Sequence, residues 1–301
     1  MKVKPIFWIL LTALVLRLIS LNQSLWLDEG IQWWASTSFP LKHLVTEYIK
    51  GDFNPPLFHI ILHYWVKLFG DSEIALRLPS VFFGLGIVYF TYQIAKLLKI
   101  NATLAGLLTA TAPLLIYYSQ EARMYSLAAF TTTAAIYFLL KKRQIYYLAS
   151  LVLMFYSHYL TWLLIPVLLF FAPLFTGLAT LFLIPWLPIL WSQFNQGLSA
   201  AANPTWAGLS SPSIKGILLV PIKFLIGRLP VEPNWLYAFM LFIPLCIAGY
   251  LIFKAKNKLL YSWLFIPIIL GAIISLKIPL FSYFRFLFVL PAFYLLLTLG
   301  A

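Results

Sequence analysis

Long apolar runs separated by short polar breaks recur along the whole chain, and this pattern predicts helices before any residue chemistry is considered. A bilayer crossing takes about 20 predominantly apolar residues. The opening segment MKVKPIFWILLTALVLRLISL has the basic start and apolar core of a secretory signal peptide, but no small-x-small cleavage site follows it, so it reads as an uncleaved first span. Further runs lie near 80–98, 102–118, 124–140, 145–160, 161–175, 178–192, 235–253, 259–276 and 284–300. The expected architecture is an all-α polytopic transmembrane helical bundle of about ten spans, a single membrane domain over residues 1–301. The stretch SIKGILLVPIKFLIGRLP (213–230) carries prolines and spaced cations and reads as an interfacial or re-entrant helix.

Composition agrees with the pattern. The chain is 62% hydrophobic and 10% charged, against roughly one quarter charged in soluble domains. Its formal net charge is +13, yet the basic residues are scattered between apolar runs and form no basic domain, which excludes a nucleic-acid partner. They act instead as topology signals and attract lipid phosphates. With the N-terminus in the cytoplasm, Lys2 and Lys4, Lys96 and Lys99, Lys141-Lys142-Arg143, and Lys254, Lys256 and Lys258 all fall inside. A tight cytoplasmic turn is expected at Thr176-Gly177. Cys246 is the only cysteine, so no intrachain disulfide can form.

This orientation makes residues 22–79 the largest extracytoplasmic segment, an expected helical first loop. It holds Asp28, Glu29, Glu47, Asp52, Asp71 and Glu73, while Glu121 and Glu232 fall at outer helix ends. All 8 acidic residues therefore map to one side. Asp28 and Glu29 lie side by side in SLWLDEGIQWWAS, where Trp26, Trp33 and Trp34 favour the membrane interface. One reading makes Asp28 a helix N-cap; another makes it a base held at the membrane surface. Arg17, Arg77, Arg123 and Arg285 approach the same face. Singly each is a snorkelling anchor; together, guanidiniums suit a phosphate at headgroup depth.

LWLDEG, NPPLFHIILHYW (54–65), LRLPSVFFGLG (76–86), APLLIYYSQEARMYSL (112–127) and SHYLTW (157–162) follow in an order that resembles the polytopic GT-C glycosyltransferases of the protein O-mannosyltransferase and lipid A aminoarabinose transferase type, the family 39-like group. The resemblance covers roughly residues 1–165 and carries motifs for the family, not for the sugar. It implies a GT-C fold and transfer of a hexosyl or pentosyl group, with inversion, from a polyprenyl-phosphate sugar to a protein, lipid or glycan acceptor on the extracytoplasmic face, in the cell membrane. It places the catalytic base on Asp28, with Glu29 helping to arrange the acceptor, and a donor-phosphate ligand on Arg77. Arg123 is expected beside Arg77 at the phosphate, and Glu121, Tyr125, His158 and Arg285 to line the substrates. Relatives often continue beyond LLLTLGA, where this chain ends, so it is either a minimal member or incomplete.

No Gly-rich nucleotide loop is present, and none is required for a lipid-borne donor. His59 and His63, spaced i,i+4, share a helix face that suits either metal or two polar surface residues; no cofactor is expected, and arginines can serve a monophosphate leaving group without a divalent cation. The segment 195–213, NQGLSAAANPTWAGLSSPS, reads as an outer loop. A lipid or sugar-lipid transporter and a non-catalytic binder of lipid-linked sugar are the competing readings. In a transporter, ionisable residues mark a path through the spans; here the carboxylates sit in an outer loop.

Overall fold

The computed structural model describes residues 4–201, 214–229, 234–278 and 280–301, and among these it is all-helical, without strands. Glu232 and residues 202–213 of the expected outer loop lie outside the described residues. The first helix, α1 (Pro5–Leu18), leads into the first loop. There α2 (Leu27–Ser38), α3 (Leu41–Thr46), a 3-10 turn (Tyr48–Gly51) and α4 (Leu57–Phe69) follow one another before α5 (Glu73–Leu97). Ser72 starts α5 as its N-cap, accepting from the Ala75 N–H. Gly70 takes a positive φ of 79° at the end of α4, which lets the chain reverse without a Cβ clash.

The run 102–118 is not one straight span. It is α6 (Ala102–Ala110) and α7 (Pro113–Ser119), bent by 55°, because Pro113 has no N–H to continue the ladder. Next come α8 (Tyr125–Leu140), α9 (Gln144–Phe155), a 3-10 segment (Tyr159–Leu164) running into α10 (Ile165–Phe171), and α11 (Pro173–Leu181). The turn expected at Thr176-Gly177 lies instead at Ala172, just before Pro173; Thr176 and Gly177 are inside α11. A short 3-10 turn (Ile184–Trp186) joins α11 to α12 (Leu187–Ala201). The remaining helices are α13 (Ile214–Ile226), α14 (Asn234–Lys254), α15 (Lys258–Ile274), a 3-10 segment (Tyr283–Val289) and α16 (Leu290–Gly300).

Three continuous stretches, Glu73–Leu97, Pro173–Ser199 and Tyr283–Gly300, are long and apolar enough to cross a bilayer, and the bent α6–α7 pair makes a fourth. Most of the other apolar helices have 10–17 residues, short of the roughly 20 of a full crossing, while α14 has 21. The count of about ten spans is therefore not reproduced by helix length. Helix α13, with 13 residues, is too short to cross alone. With this apolar helical content the chain is an integral membrane protein.

The core forms around α8, which packs against α5, α9 and the 283–289 segment. It is buried on every side through Thr131–Ile136, the mark of a central helix rather than an amphipathic one. Two of its three threonines bond carbonyls one turn back, Thr131 to Leu127 and Thr133 to Ala129, whereas the buried Thr132 hydroxyl has no partner. Small residues bring helices close where no hydrophobic force drives them together: a Cβ on Gly84 of α5 would overlap the Ser119 hydroxyl and lie 2.7 Å from Arg17 Nε. Arg17 is no snorkelling anchor. It is fully buried and donates to Ser119 Oγ (3.2 Å), to the Ala13 carbonyl (3.1 Å) and to the Ala110 carbonyl at the α6–α7 break (3.0 Å). Gln120 caps the other end of this joint by donating to the Leu16, Arg17 and Ile19 carbonyls that close α1.

The first loop is fastened over the bundle at separate points. The Leu57 N–H donates to the Tyr156 carbonyl at the end of α9 (3.1 Å). Gln193 of α12 donates to the Ile49 carbonyl (2.6 Å), and Trp65 to that of Ala75 (2.8 Å).

Candidate active site

Helix α2 begins one residue before the acidic pair, with Trp26 extended as its N-cap. Asp28 and Glu29 thus occupy the first turn, where the helix dipole favours anions. Asp28 is not the cap. Capping falls to Glu29, whose Oε2 accepts the Trp26 N–H at 3.5 Å.

The two side chains diverge because consecutive helical residues point in different directions. Glu29 turns inward and is fully buried. Its Oε1 accepts from Arg77 Nε (2.9 Å) and the Ala122 N–H (2.7 Å), and its Oε2 from Arg77 Nη2 (2.6 Å). Arg77 also donates to the carbonyls of Leu21 (2.7 Å), Gln23 (2.6 Å) and Ser24 (3.3 Å). A guanidinium has five N–H donors, and all are engaged here. Expected as a donor-phosphate ligand, Arg77 has none left to offer in this arrangement; it pins the first loop to α5 and, through Glu29, to the 120–124 turn. The paired charges satisfy each other in the fork geometry that makes such burial tolerable.

Asp28 remains at the surface, with its side chain 37% exposed. Arg123 reaches it from the 120–124 turn, Nη2 lying 3.5 Å from Oδ2 and Nη1 3.4 Å from the Asp28 carbonyl. Arg123 is largely buried, and its Nε–H has no partner, so this cation holds an uncommitted donor. Its guanidinium lies 6.0 Å from the Tyr125 ring. Arg285 donates to the Leu280 carbonyl (3.0 Å), and both arginines act electrostatically on Tyr125 and His158. The Tyr125 and His158 rings stand 5.8 Å apart. His158 Nδ1 accepts the Leu160 N–H (3.2 Å), which places the ring proton on Nε2. Burial, and then the Arg285 and Arg123 charges, push its pKa down to about 3; His158 is a neutral donor at physiological pH.

Asp52 was counted among the outer acids but not expected at the site. Its carboxylate accepts from Asn54 Nδ2 (2.9 Å) and from His59 Nε2 (2.8 Å). The His59 Nδ1 takes a hydrogen bond from Gln32 (2.7 Å), which fixes Nε2–H as the donor. Burial alone would raise the Asp52 pKa, but the His59 and Asn54 hydrogen bonds and the Arg123 charge outweigh it, so the carboxyl stays below its usual range. Asp52 also acts electrostatically on His158. A signal existed in DFNPPLFH, where an acid precedes a Pro-Pro helix start and a histidine in the first turn.

His59 and His63 are buried rather than on a polar surface. Both ring nitrogens of His59 are engaged, and His63 Nδ1 bonds the Ser36 carbonyl (2.9 Å), so neither faces a shared metal. Among the described residues no three His, Cys, Asp or Glu side chains converge.

Glu121 departs from its sequence neighbours. It lines a cavity of about 590 Å³ whose walls include Glu29, Arg77 and Tyr117 but not Asp28, Arg123 or Tyr125. Tyr118, Tyr125 and Phe284 pack ring to ring, 5.2–5.8 Å between centroids, next to Glu121 on one side and Arg123 on the other.

The architecture, a helical first loop carrying an acidic pair over a bundle of apolar helices, is of the GT-C fold type. Residues 54–191 match the model of the dolichyl-phosphate-mannose-protein mannosyltransferase family. Two crystal structures of ArnT from Cupriavidus metallidurans share the fold. The one bound to undecaprenyl phosphate superposes with a TM-score of 0.53 at 15% identity, over 98% of this chain and 60% of that one. The apo form gives 0.53 at 17% identity, over 98% and 59%. The chain therefore spans about three-fifths of the length of those structures. No curated protein matches it.

Proposed function

We propose that this protein is an inverting glycosyltransferase that moves a sugar from a polyprenyl-phosphate carrier to an acceptor at the extracytoplasmic face of the cell membrane. The observation that carries the reading is the partly exposed Asp28 carboxylate, 3.5 Å from an Arg123 that keeps one donor free, with Arg285 close by. The match to the mannosyltransferase family model and the likeness to a protein crystallised with undecaprenyl phosphate support it.

A polyprenyl-phosphate sugar keeps its tail in the bilayer and its anomeric carbon at the interface. Asp28 takes the proton from the acceptor hydroxyl as its oxygen attacks that carbon. The bond to the phosphate oxygen breaks, and Arg123 and Arg285 hold the departing charge. One displacement inverts the anomeric configuration. Neutral His158 donates through Nε2–H to a sugar or phosphate oxygen, Tyr125 orients Arg123, and Glu29 acts at one remove by fixing the α2 terminus from which Asp28 projects.

The test is release of free polyprenyl phosphate by purified wild type and Asp28→Asn, given a panel of polyprenyl-phosphate sugars with membrane extract as acceptor source. The wild type should release carrier from at least one donor. Asp28→Asn should lose about 10²–10⁴-fold while binding that donor normally. Retained turnover removes Asp28 as the base; donor binding by the wild type without release from any donor favours a transporter or binding protein.

A further inference from the structure

The cavity beside Glu121 is separate from the groups that surround Asp28, and the transfer reaction makes no use of it. Its volume of about 590 Å³ falls within the roughly 300–1,000 Å³ of small-molecule sites. Its walls are amphipathic. Leu16 and Ile19 of α1 and Ile116 of α7 form an apolar side, and Ser20, Ser24 and Glu121 bring polar groups. Glu121 is 5% exposed, and neither of its carboxyl oxygens completes a hydrogen bond, although the Tyr117 hydroxyl acts on the carboxyl from beside it. A buried polar group left in that condition carries an uncompensated desolvation cost, and here it faces a space large enough for a ligand to relieve it.

The neighbouring charges narrow the choice of ligand. Arg77 has every donor engaged. Arg228 is delivered by the positive-φ turn at Gly227, where a Cβ would come within 2.7 Å of Pro113. Its guanidinium lies 4.5 Å from the Tyr117 ring centroid, and Nη1 donates to the Tyr117 hydroxyl oxygen (2.5 Å). Its approach to Glu121 Oε1 stops at 3.9 Å. A phosphate here would face Glu29 and Glu121, and Arg77, the cation that lines the wall, has no donor left for it, while an ammonium would meet that same Arg77. Hydroxyl groups meet neither difficulty: they supply the donors that the Glu121 oxygens lack.

We propose that this cavity is a second binding site, separate from the Asp28 centre, for an amphiphile with a hydroxyl-rich, uncharged headgroup of the glycosyl-lipid type, its headgroup on Glu121 and its chain along α1 and α7. Binding here needs no turnover, so the proposal stands or fails apart from the transfer reaction.

The experiment uses the full chain in nanodiscs and an alkyl glucoside carrying a diazirine on its sugar, with adducts mapped by mass spectrometry. Labelling is expected on residues 16–26 and 116–121, to be competed by excess octyl glucoside and not by octyl phosphate. Glu121→Leu should reduce it about tenfold, the loss of a hydrogen bond to a carboxyl group, and Glu121→Gln, which keeps an acceptor, less than about threefold. Because a core variant can misfold, Ile116→Trp provides a second arm: it fills the cavity from the apolar wall and should abolish labelling in a monodisperse protein. Labelling that ignores both substitutions, maps elsewhere, or yields equally to octyl phosphate overturns the proposal.

Discussion

Adjacent acids in this chain do different physical work. Glu29 is buried under Arg77 and the Ala122 N–H, whereas Asp28 faces outward beside Arg123. Removing one charge of a satisfied buried pair leaves the other stranded, at a cost of about 3–5 kcal/mol. Glu29→Gln should therefore lower thermal stability sharply in detergent, while Asp28→Asn, partly exposed, should leave it nearly unchanged and cut turnover by about 10²–10⁴-fold. Arg77→Lys should behave like Glu29→Gln, because an ammonium cannot reproduce the fork. Glu121 adds a pH dependence. Burial is the main cause that raises its pKa from 4.5 to about 7, so the folded state keeps a proton that the unfolded chain loses near pH 4.5. Its contribution makes stability fall as pH rises between those values. Unfolding followed from pH 4.5 to 7.5 should show that slope in the wild type and a weaker one in Glu121→Gln.

At the level of elements, the break between α6 and α7 organises the outer end of the bundle. Proline ends the helix, Arg17 donates to the freed Ala110 carbonyl, and Gln120 collects the last carbonyls of α1. An ionisable residue inside a membrane bundle is by default a functional candidate, but the hydrogen bonds of Arg17 give it a structural role at this joint. Arg17→Met should cost about 1–3 kcal/mol through the acceptors it strands, read as a lower melting temperature with donor affinity unchanged. The joint also aims the 120–124 turn, so one short segment sends Glu121 to its cavity, Ala122 to Glu29 and Arg123 to Asp28.

Across the whole molecule, three of the acids that the hydropathy pattern assigns to one side of the membrane gather near one cation: Asp28, Asp52 and Glu121 all act electrostatically on, or are acted on by, Arg123. The orientation read from the lysine clusters puts that group outside. With Cys246 replaced by Ser, a membrane-impermeant maleimide should label Lys67→Cys in intact cells, and Lys141→Cys only after permeabilisation. Both positions are exposed. The reverse pattern would invert the topology and move the proposed chemistry to the cytoplasm.

The sequence by itself determined the helical membrane character and the approximate place of each apolar helix, and it put forward Asp28, Glu29, Arg77, Glu121, Arg123, Tyr125, His158 and Arg285 as candidates, since hydropathy and motif order are local properties of the chain. It did not reveal the turn at Ala172, the bend at Pro113 or the shortness of most helices, because apolarity reports environment and not where a backbone ladder breaks. Only the tertiary structure decided the partners. Arg77 binds a carboxylate 48 residues away, which engages it internally instead of leaving it open to a phosphate. Asp52 enters the site through His59 and Gln32, and Glu121 leaves it although Arg123 is two residues on. Those outcomes rest on side-chain directions and on the need of every buried donor and acceptor for a partner, which are settled only when distant segments pack.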